Sequence, residues 1–446
     1  MTLMNANLAR VLFGVGCRLR GSPVMRYVEE LEESQWWSEA DLREMQLRKL
    51  RSLLVHAREH SPFYRRHFES NGFDCGIDSL VDFKKLPSVG KNEIAARHRE
   101  IQNPGPGGRL VFSKTAGTTS IPLRFYRSQD WDAQHRAAIA RGLRWYGVDM
   151  WTPNAMLWAI PPGTIERVKV RIGDFLLNRF RQRSLDLDGE TLEAFYRALG
   201  GGVRYLSGYS SMLYEFARHV NERHRGERRQ SLALVKGTSE KILPHYQGAA
   251  REAFGTKITG EYGSAEAGII AFECPEGSYH VNMDHVIVEV EDDEIVVTNL
   301  VSHSFPFIRY RLGDYIRLAE GTPCPCGRKG LVIEDIMGRS GLRVYGKAGK
   351  VFPSIAMDQI IKRLVALGDA VAQCQAVQHV EGETEFRVVL AGRLGSSDRW
   401  RVRHFFEEMM PRYFGTAIDY RVAFVNAIPR GRNKFLEFVS EIRRTS

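Results

Sequence analysis

A chain of 446 residues, 43% hydrophobic and 26% charged, has the composition of a globular protein with a sizeable core and two or three folding units, which excludes a small disulfide-built scaffold. Its formal net charge is +10, but neither a zinc-finger spacing nor an RNP-type aromatic motif is present, so nucleic acid is not expected as a partner. No apolar run approaches the roughly 20 residues of a membrane helix. The stretch Leu8–Val15 is too short to span and precedes no signal cleavage site, so a cytoplasmic protein without a transmembrane segment is expected.

The first 100 residues read as helices, with apolar and aromatic positions at helical spacing from Asp41 to Phe63. From Arg109 onward, short β-rich runs alternate with amphipathic stretches, the pattern of an α/β sheet core. The runs Met156–Ile160 and Ile295–Leu300 are predicted strands, and Gln129–Tyr146 and Tyr209–His224 predicted helices. A domain boundary is expected at Gly338–Gly341. Beyond it the pattern predicts a helix over Ser354–Val365, strands over Cys374–Val380 and Glu385–Ala391, a helix over Asp398–Arg412 and a strand over Asp419–Val425. That α-β-β-α-β order suits a small α+β module. The expected division is therefore an α/β domain over 1–340 and a small α+β domain over 341–446.

Chemistry-bearing residues fall in short segments. The loop Ser113–Pro122 offers Thr115, Gly117, Thr118, Thr119 and Ser120 after a β-like run. Hydroxyls and exposed amides there can cradle phosphates, although the loop lacks the Walker A pattern and reads equally as a Ser/Thr-rich turn. Glu261-Tyr262-Gly263-Ser264-Ala265-Glu266 places a carboxylate near a predicted strand end, where a lone one is usually solvated. Tyr310–Asp314, Gly338-Arg339 and Asn433-Lys434 complete the series. Asp314 and Arg339 read equally as a surface ion pair, and Lys434 as one surface lysine among many, with Arg430 and Arg432 as near rivals. Trp158, Tyr209 and Tyr262 are candidate walls of an apolar pocket or core residues.

Taken in order, these segments resemble the superfamily of adenylate-forming ligases, most closely the branch of phenylacetate–coenzyme A ligases and CapK-type proteins. The resemblance runs from about residue 30 to 440. It implies a large N-terminal domain with a mobile C-terminal cap, and activation of a carboxylic acid by ATP with Mg2+. Thr115–Ser120 would then grip the phosphates, with Ser120 in place of the usual second glycine. Glu266 would help hold Mg2+, and Tyr262 would flank the adenine beside Glu261 and Gly263. Ser239 and Glu240 would form a further nucleotide-contacting turn. Asp314 would accept hydrogen bonds from both ribose hydroxyls, as a carboxylate can. Arg339 would add a ribose or phosphate contact, and Lys434 would stabilise the attacking carboxylate.

Gly341 stands where the family carries a charged hinge residue. The expected function is formation of an acyl-adenylate followed by transfer to coenzyme A. Transfer to an amine or hydroxyl, and a non-catalytic binding protein on the same fold, are the alternatives. Segment 343–446 holds 17 basic and 11 acidic residues, and such a basic surface suits anionic substrates as well as plain solvation.

Six cysteines in this length do not make a disulfide scaffold. Cys274, His280, Cys324 and Cys326, from two Pro- and Gly-rich stretches, supply three thiolates and an imidazole. That donor set matches structural Zn2+, although the spacing is not that of a common finger and reduced buried cysteines are the alternative. The resembling branch carries similar clusters.

Overall fold

The computed structural model describes residues 3–103, 109–115, 123–158, 164–182, 189–200, 202–225, 231–321, 323–339, 343–353, 355–365, 370–391, 396–428 and 437–442. The fold is mixed α/β with one large sheet. Packing divides the chain into two compact units, one of Met1–Ile242, Ala249–Leu312 and Arg317–Glu334, the other of Leu243–Gly248, Gly313–Ile316 and Asp335–Ser446.

The N-terminal region is helical, as its periodicity predicts, but the run from Asp41 to Phe63 is broken. One helix spans Glu39–His60 and a second Pro62–Ser70. Ser61, at φ −119° and ψ 107°, ends the first and caps the second, its hydroxyl accepting from the Tyr64 amide. Pro62 then occupies the first turn, where the amide it lacks would have had no partner. The preceding helix is capped in the same way by Ser38, with Glu39 and Asp41 in its positive first turn.

Among the described residues the large sheet has eleven strands. Five parallel ones run in the spatial order Ile258–Ser264, Leu234–Thr238, Tyr205–Tyr209, Asn154–Leu157 and Arg179–Gln182. Their central members are buried along most of their length, as strands covered on both faces must be. Beyond Ile258–Ser264 the sheet continues through Gly268–Glu273, Tyr279–Val281, Val332–Arg339, Tyr310–Leu318, Glu294–Asn299 and Val286–Glu291. The pairings described on this side are antiparallel. The helices Gln129–Arg144 and Ser210–Arg223 lie within a residue or two of their predicted limits.

Helix Gly189–Leu199 is clasped to Ser210–Arg223 and its C-cap by one carboxylate. Glu193 Oε2 accepts from His219 and His224 at 3.3 and 2.8 Å, while Oε1 accepts from Arg197 at 3.1 Å.

The second unit contains a four-stranded sheet in the order Asp419–Phe424, Glu383–Leu390, Val371–Gln378, Phe438–Ser440. Helices Ile355–Val365 and Ser396–Phe414 pack on it around Met357, Ile360, Phe386, Val388, Phe406 and Met410. The α-β-β-α-β order is the one predicted, extended by the short pair Arg343–Tyr345 and Val351–Pro353 and by Phe438–Ser440.

Candidate functional site

In open α/β sheets, ligands bind beyond the carboxyl ends of the parallel strands. Here those ends are in register, with Leu157 opposite Gly208, Tyr209 opposite Thr238 and Thr238 opposite Glu261. The chain therefore brings Trp158, Tyr209, Ser239, Glu240, Glu261 and Tyr262 to one edge of the sheet. Trp158 stacks on Tyr209 with ring centroids 4.2 Å apart and planes 11° from parallel. This aromatic pair is a ready wall for an apolar group.

Ser239 adopts φ +68°, a left-handed conformation rare for a residue with a side chain, at the turn leaving Leu234–Thr238. The turn is held from the helix side. Glu240 accepts from the Ser211 amide at 2.8 Å, and the Ser210 hydroxyl donates to the Glu240 carbonyl at 3.1 Å. A carboxylate at a helix N-terminus is favourably placed, so the Glu240 side chain has a structural task at the edge of the site.

Glu261 is engaged as well. Lys236 Nζ lies 2.6 Å from its Oε2, and both side chains are nearly inaccessible, at 10% and 7% exposure. Sequence reasoning missed Lys236, because one lysine in a β-rich run carries no signal of what it faces. Nearby, His135 has its Nδ1 buried without a hydrogen-bond partner among the described residues, and burial pushes the imidazole down to about 4.

Glu266 sits in the turn joining Ile258–Ser264 to Gly268–Glu273. The register shifts between Tyr262 and Gly263, and a Cβ at Gly263 would lie 2.2 Å from the Gly268 carbonyl oxygen, so glycine is required there. The Glu266 backbone carbonyl accepts from Asn299 at 2.8 Å, and Tyr310 donates to its Oε1 at 3.3 Å. Burial holds the carboxyl above its usual range. Thr115 is paired with Leu123: its amide donates to Leu123 O and its hydroxyl accepts from the Leu123 amide, both at 3.0 Å.

Asp314 is part-buried on Tyr310–Leu318 and belongs to the second unit. Arg339 ends the strand Val332–Arg339. Gly117, Thr118, Thr119, Ser120, Gly341, Arg430, Arg432, Asn433 and Lys434 lie outside the described residues.

The cysteine cluster converges within the first unit. Strand Gly268–Glu273 runs out into Cys274, whose amide donates to the Ser278 carbonyl. The chain then returns antiparallel with His280 opposite Phe272. His280 also pairs with Val332, which brings the preceding Cys324–Cys326 loop alongside. Gly327, at φ +82°, turns that loop with its amide on the Cys324 carbonyl. The sulfurs of Cys274 and Cys324 are 3.7 Å apart, and Cys326 Sγ is 3.2 Å from His280 Nε2. Two sulfurs bound to one tetrahedral zinc at about 2.3 Å stand about 3.8 Å apart. Burial pushes His280 down to about 4, so its imidazole is neutral, the form that ligates. Arg328 locks the loop from outside, stacked 4.2 Å above Trp145 and 4.9 Å from the Trp36 ring.

The same architecture occurs in solved enzymes. 2-Hydroxyisobutyryl-CoA ligase, in the postadenylation state with 2-HIB-AMP, superposes with a TM-score of 0.72 at 18% identity over 92% of each chain. The chain shares the fold of this ligase. Its sequence is similar to Protein CapK of Staphylococcus aureus, with 20% identity over 421 residues covering 92% of this chain and 91% of CapK. It is also similar to the phenylacetate-coenzyme A ligase of Thermus thermophilus, with 25% identity over 406 residues covering 82% and 84%. No protein-family model matches the chain.

Proposed function

We propose that the chain activates a carboxylic acid with ATP and passes the acyl group to coenzyme A. A carboxylate oxygen attacks the α-phosphorus, the bond to the β-phosphate oxygen breaks, and acyl-adenylate and pyrophosphate form. The thiolate of coenzyme A then attacks the acyl carbon and AMP leaves. The observation that carries this reading is the carboxyl end of the parallel strands, which are followed in sequence by the Trp158–Tyr209 wall, the Ser239–Glu240 turn and Glu266, on a fold shared with a ligase solved with its acyl-adenylate.

In this reading Thr115, Gly117, Thr118, Thr119 and Ser120 grip the phosphates, Asp314 and Arg339 the ribose, and Lys434 offsets charge in the in-line attack. Glu266 would hold Mg2+, which is typically bound by one or two carboxylates together with substrate phosphates. The residues from 341 onward would be the mobile cap, and the protein would work in the cytoplasm. Cys274, His280, Cys324 and Cys326 would hold a structural Zn2+ that pins the 324–331 loop to the sheet; their spacing in the fold supports a closed four-ligand shell.

A second acceptor class is carried by Gly341, which lacks the charged side chain usual at the hinge. Acyl transfer to an amine or hydroxyl is the reading it favours. Acid-dependent pyrophosphate release across a panel of aryl and aliphatic acids tests the first step. Decay of a preformed acyl-adenylate with coenzyme A, or with amines and amino sugars, then separates the acceptors. Absence of pyrophosphate release with every acid would leave a binding protein on this fold.

A further inference from the structure

Two neighbouring helices of the first unit leave an apolar stripe uncovered. In Ala6–Leu19, Ala9 and Phe13 face the core, while Leu8, Val11, Val15 and Leu19 are 45% to 84% exposed. Positions three and four apart fall on one helical face, so these four form a single stripe opposite the buried side. In Thr164–Leu176, Val168, Ile172 and Phe175 repeat the pattern at 47% to 51% exposure.

The helices pack together where Gly16 meets Leu176, and the Asn178 side chain bonds both the amide and the carbonyl of Met4. Val15 and Phe175, adjacent in sequence to that contact, are both exposed, so each helix presents an apolar side chain to solvent next to the residue that makes the contact.

Basic residues flank this face. Arg18, Arg20, Lys169 and Arg171 are exposed beside the stripes. Ala6–Leu19 contains no acidic residue. Thr164–Leu176 carries two acids: Asp174 is buried and paired with Arg181 at 2.8 Å, and Glu166, two residues before Val168, falls on the helical face away from the stripe. A second copy docking on this face would set these cations against each other without a countercharge, which disfavours self-association. An anionic bilayer supplies both what the aliphatic stripe and what the basic flanks need.

We propose that this face docks on an anionic membrane surface, the stripe resting at the headgroup–acyl boundary with the arginines and lysine on lipid phosphates. The helices lie on the membrane and do not cross it; among the described residues no helix is long and apolar enough to span.

The test is co-sedimentation of the full chain with vesicles of phosphatidylcholine alone and of phosphatidylcholine with 30% phosphatidylglycerol. The chain should sediment with the anionic vesicles only, and 0.5 M NaCl should release most of it. Val11→Glu with Val15→Glu should lower partitioning at least tenfold. Lys169→Glu with Arg171→Glu should lower it by well over the roughly fivefold expected for each basic residue lost near an anionic surface. Both variants alter exposed side chains, so their thermal midpoints should match the parent's. Failure of the parent to bind anionic vesicles, or binding untouched by both variants, would overturn the proposal. So would a parent dimer in sedimentation velocity that Val11→Glu with Val15→Glu dissociates, because the face would then belong to a second copy.

Discussion

Lys236→Met isolates what the buried ion pair at the edge of the site contributes. The substitution preserves the length and apolar stem of the side chain and removes only the charge. It leaves Glu261, 7% exposed and formerly 2.6 Å from the ammonium, buried without its countercharge. Breaking one partner of such a pair costs about 3–5 kcal/mol, whereas replacing both by apolar groups is often close to neutral. Lys236→Met alone should therefore lose about 3–5 kcal/mol, and the double variant Lys236→Met, Glu261→Leu should recover most of it. Urea unfolding followed by tryptophan fluorescence suits the measurement, because Trp400 is the one tryptophan outside the first unit. A loss below about 1 kcal/mol would mean that the pair behaves like an exposed one. A double variant as unstable as the single would equally refute the argument, since the cost would then come from packing rather than from an orphaned charge.

Stability should also fall with acid. Burial holds His135 down to about 4 and His285 down to about 3, so both are neutral in the fold while the unfolded chain takes up protons below about 6.5. The stabilisation is present above pH 6.5 and is lost as the pH falls toward the folded-state values, by about 2 kcal/mol for each histidine at pH 5. Urea midpoints that match at pH 7 and pH 5 would contradict this. Zinc should co-purify at about one equivalent per chain, and Cys326→Ser should lower metal content and thermal midpoint together; elemental analysis of a fully active, metal-free preparation would refute a structural zinc. Lys434→Ala should slow acid-dependent pyrophosphate release on the order of 10²–10³-fold while ATP still binds, and parental release by the variant would remove the lysine from the reaction.

Much of this arrangement is legible in the chain because its signals are local. The alternation of β-rich and amphipathic runs places the helices Gln129–Arg144 and Ser210–Arg223 to within a residue or two. The break at Ser61 escaped because helical periodicity continues across it while the backbone does not. Cys274, His280, Cys324 and Cys326 can be grouped from residue type alone, although only the antiparallel return through His280 and the pairing of Val332 explain why they meet. Lys236, His135 and His285 gave no warning. Their significance lies in burial against partners distant in sequence, and a lone lysine or histidine has the same appearance on a surface. The sequence resemblance makes Glu240 and Glu261 nucleotide contacts, and the fold gives each carboxylate an internal partner that no motif discloses.

The central claim is that a carboxylate oxygen becomes bonded to the α-phosphorus of ATP. Once the acid panel has identified a substrate, that acid labelled with 18O in its carboxyl group can be turned over with ATP and an acceptor, and the AMP examined by mass spectrometry. Attack on the α-phosphorus followed by acceptor attack at the acyl carbon leaves one labelled oxygen in AMP. AMP without label, or label appearing in inorganic phosphate beside ADP, would contradict adenylation as the chemistry of this chain.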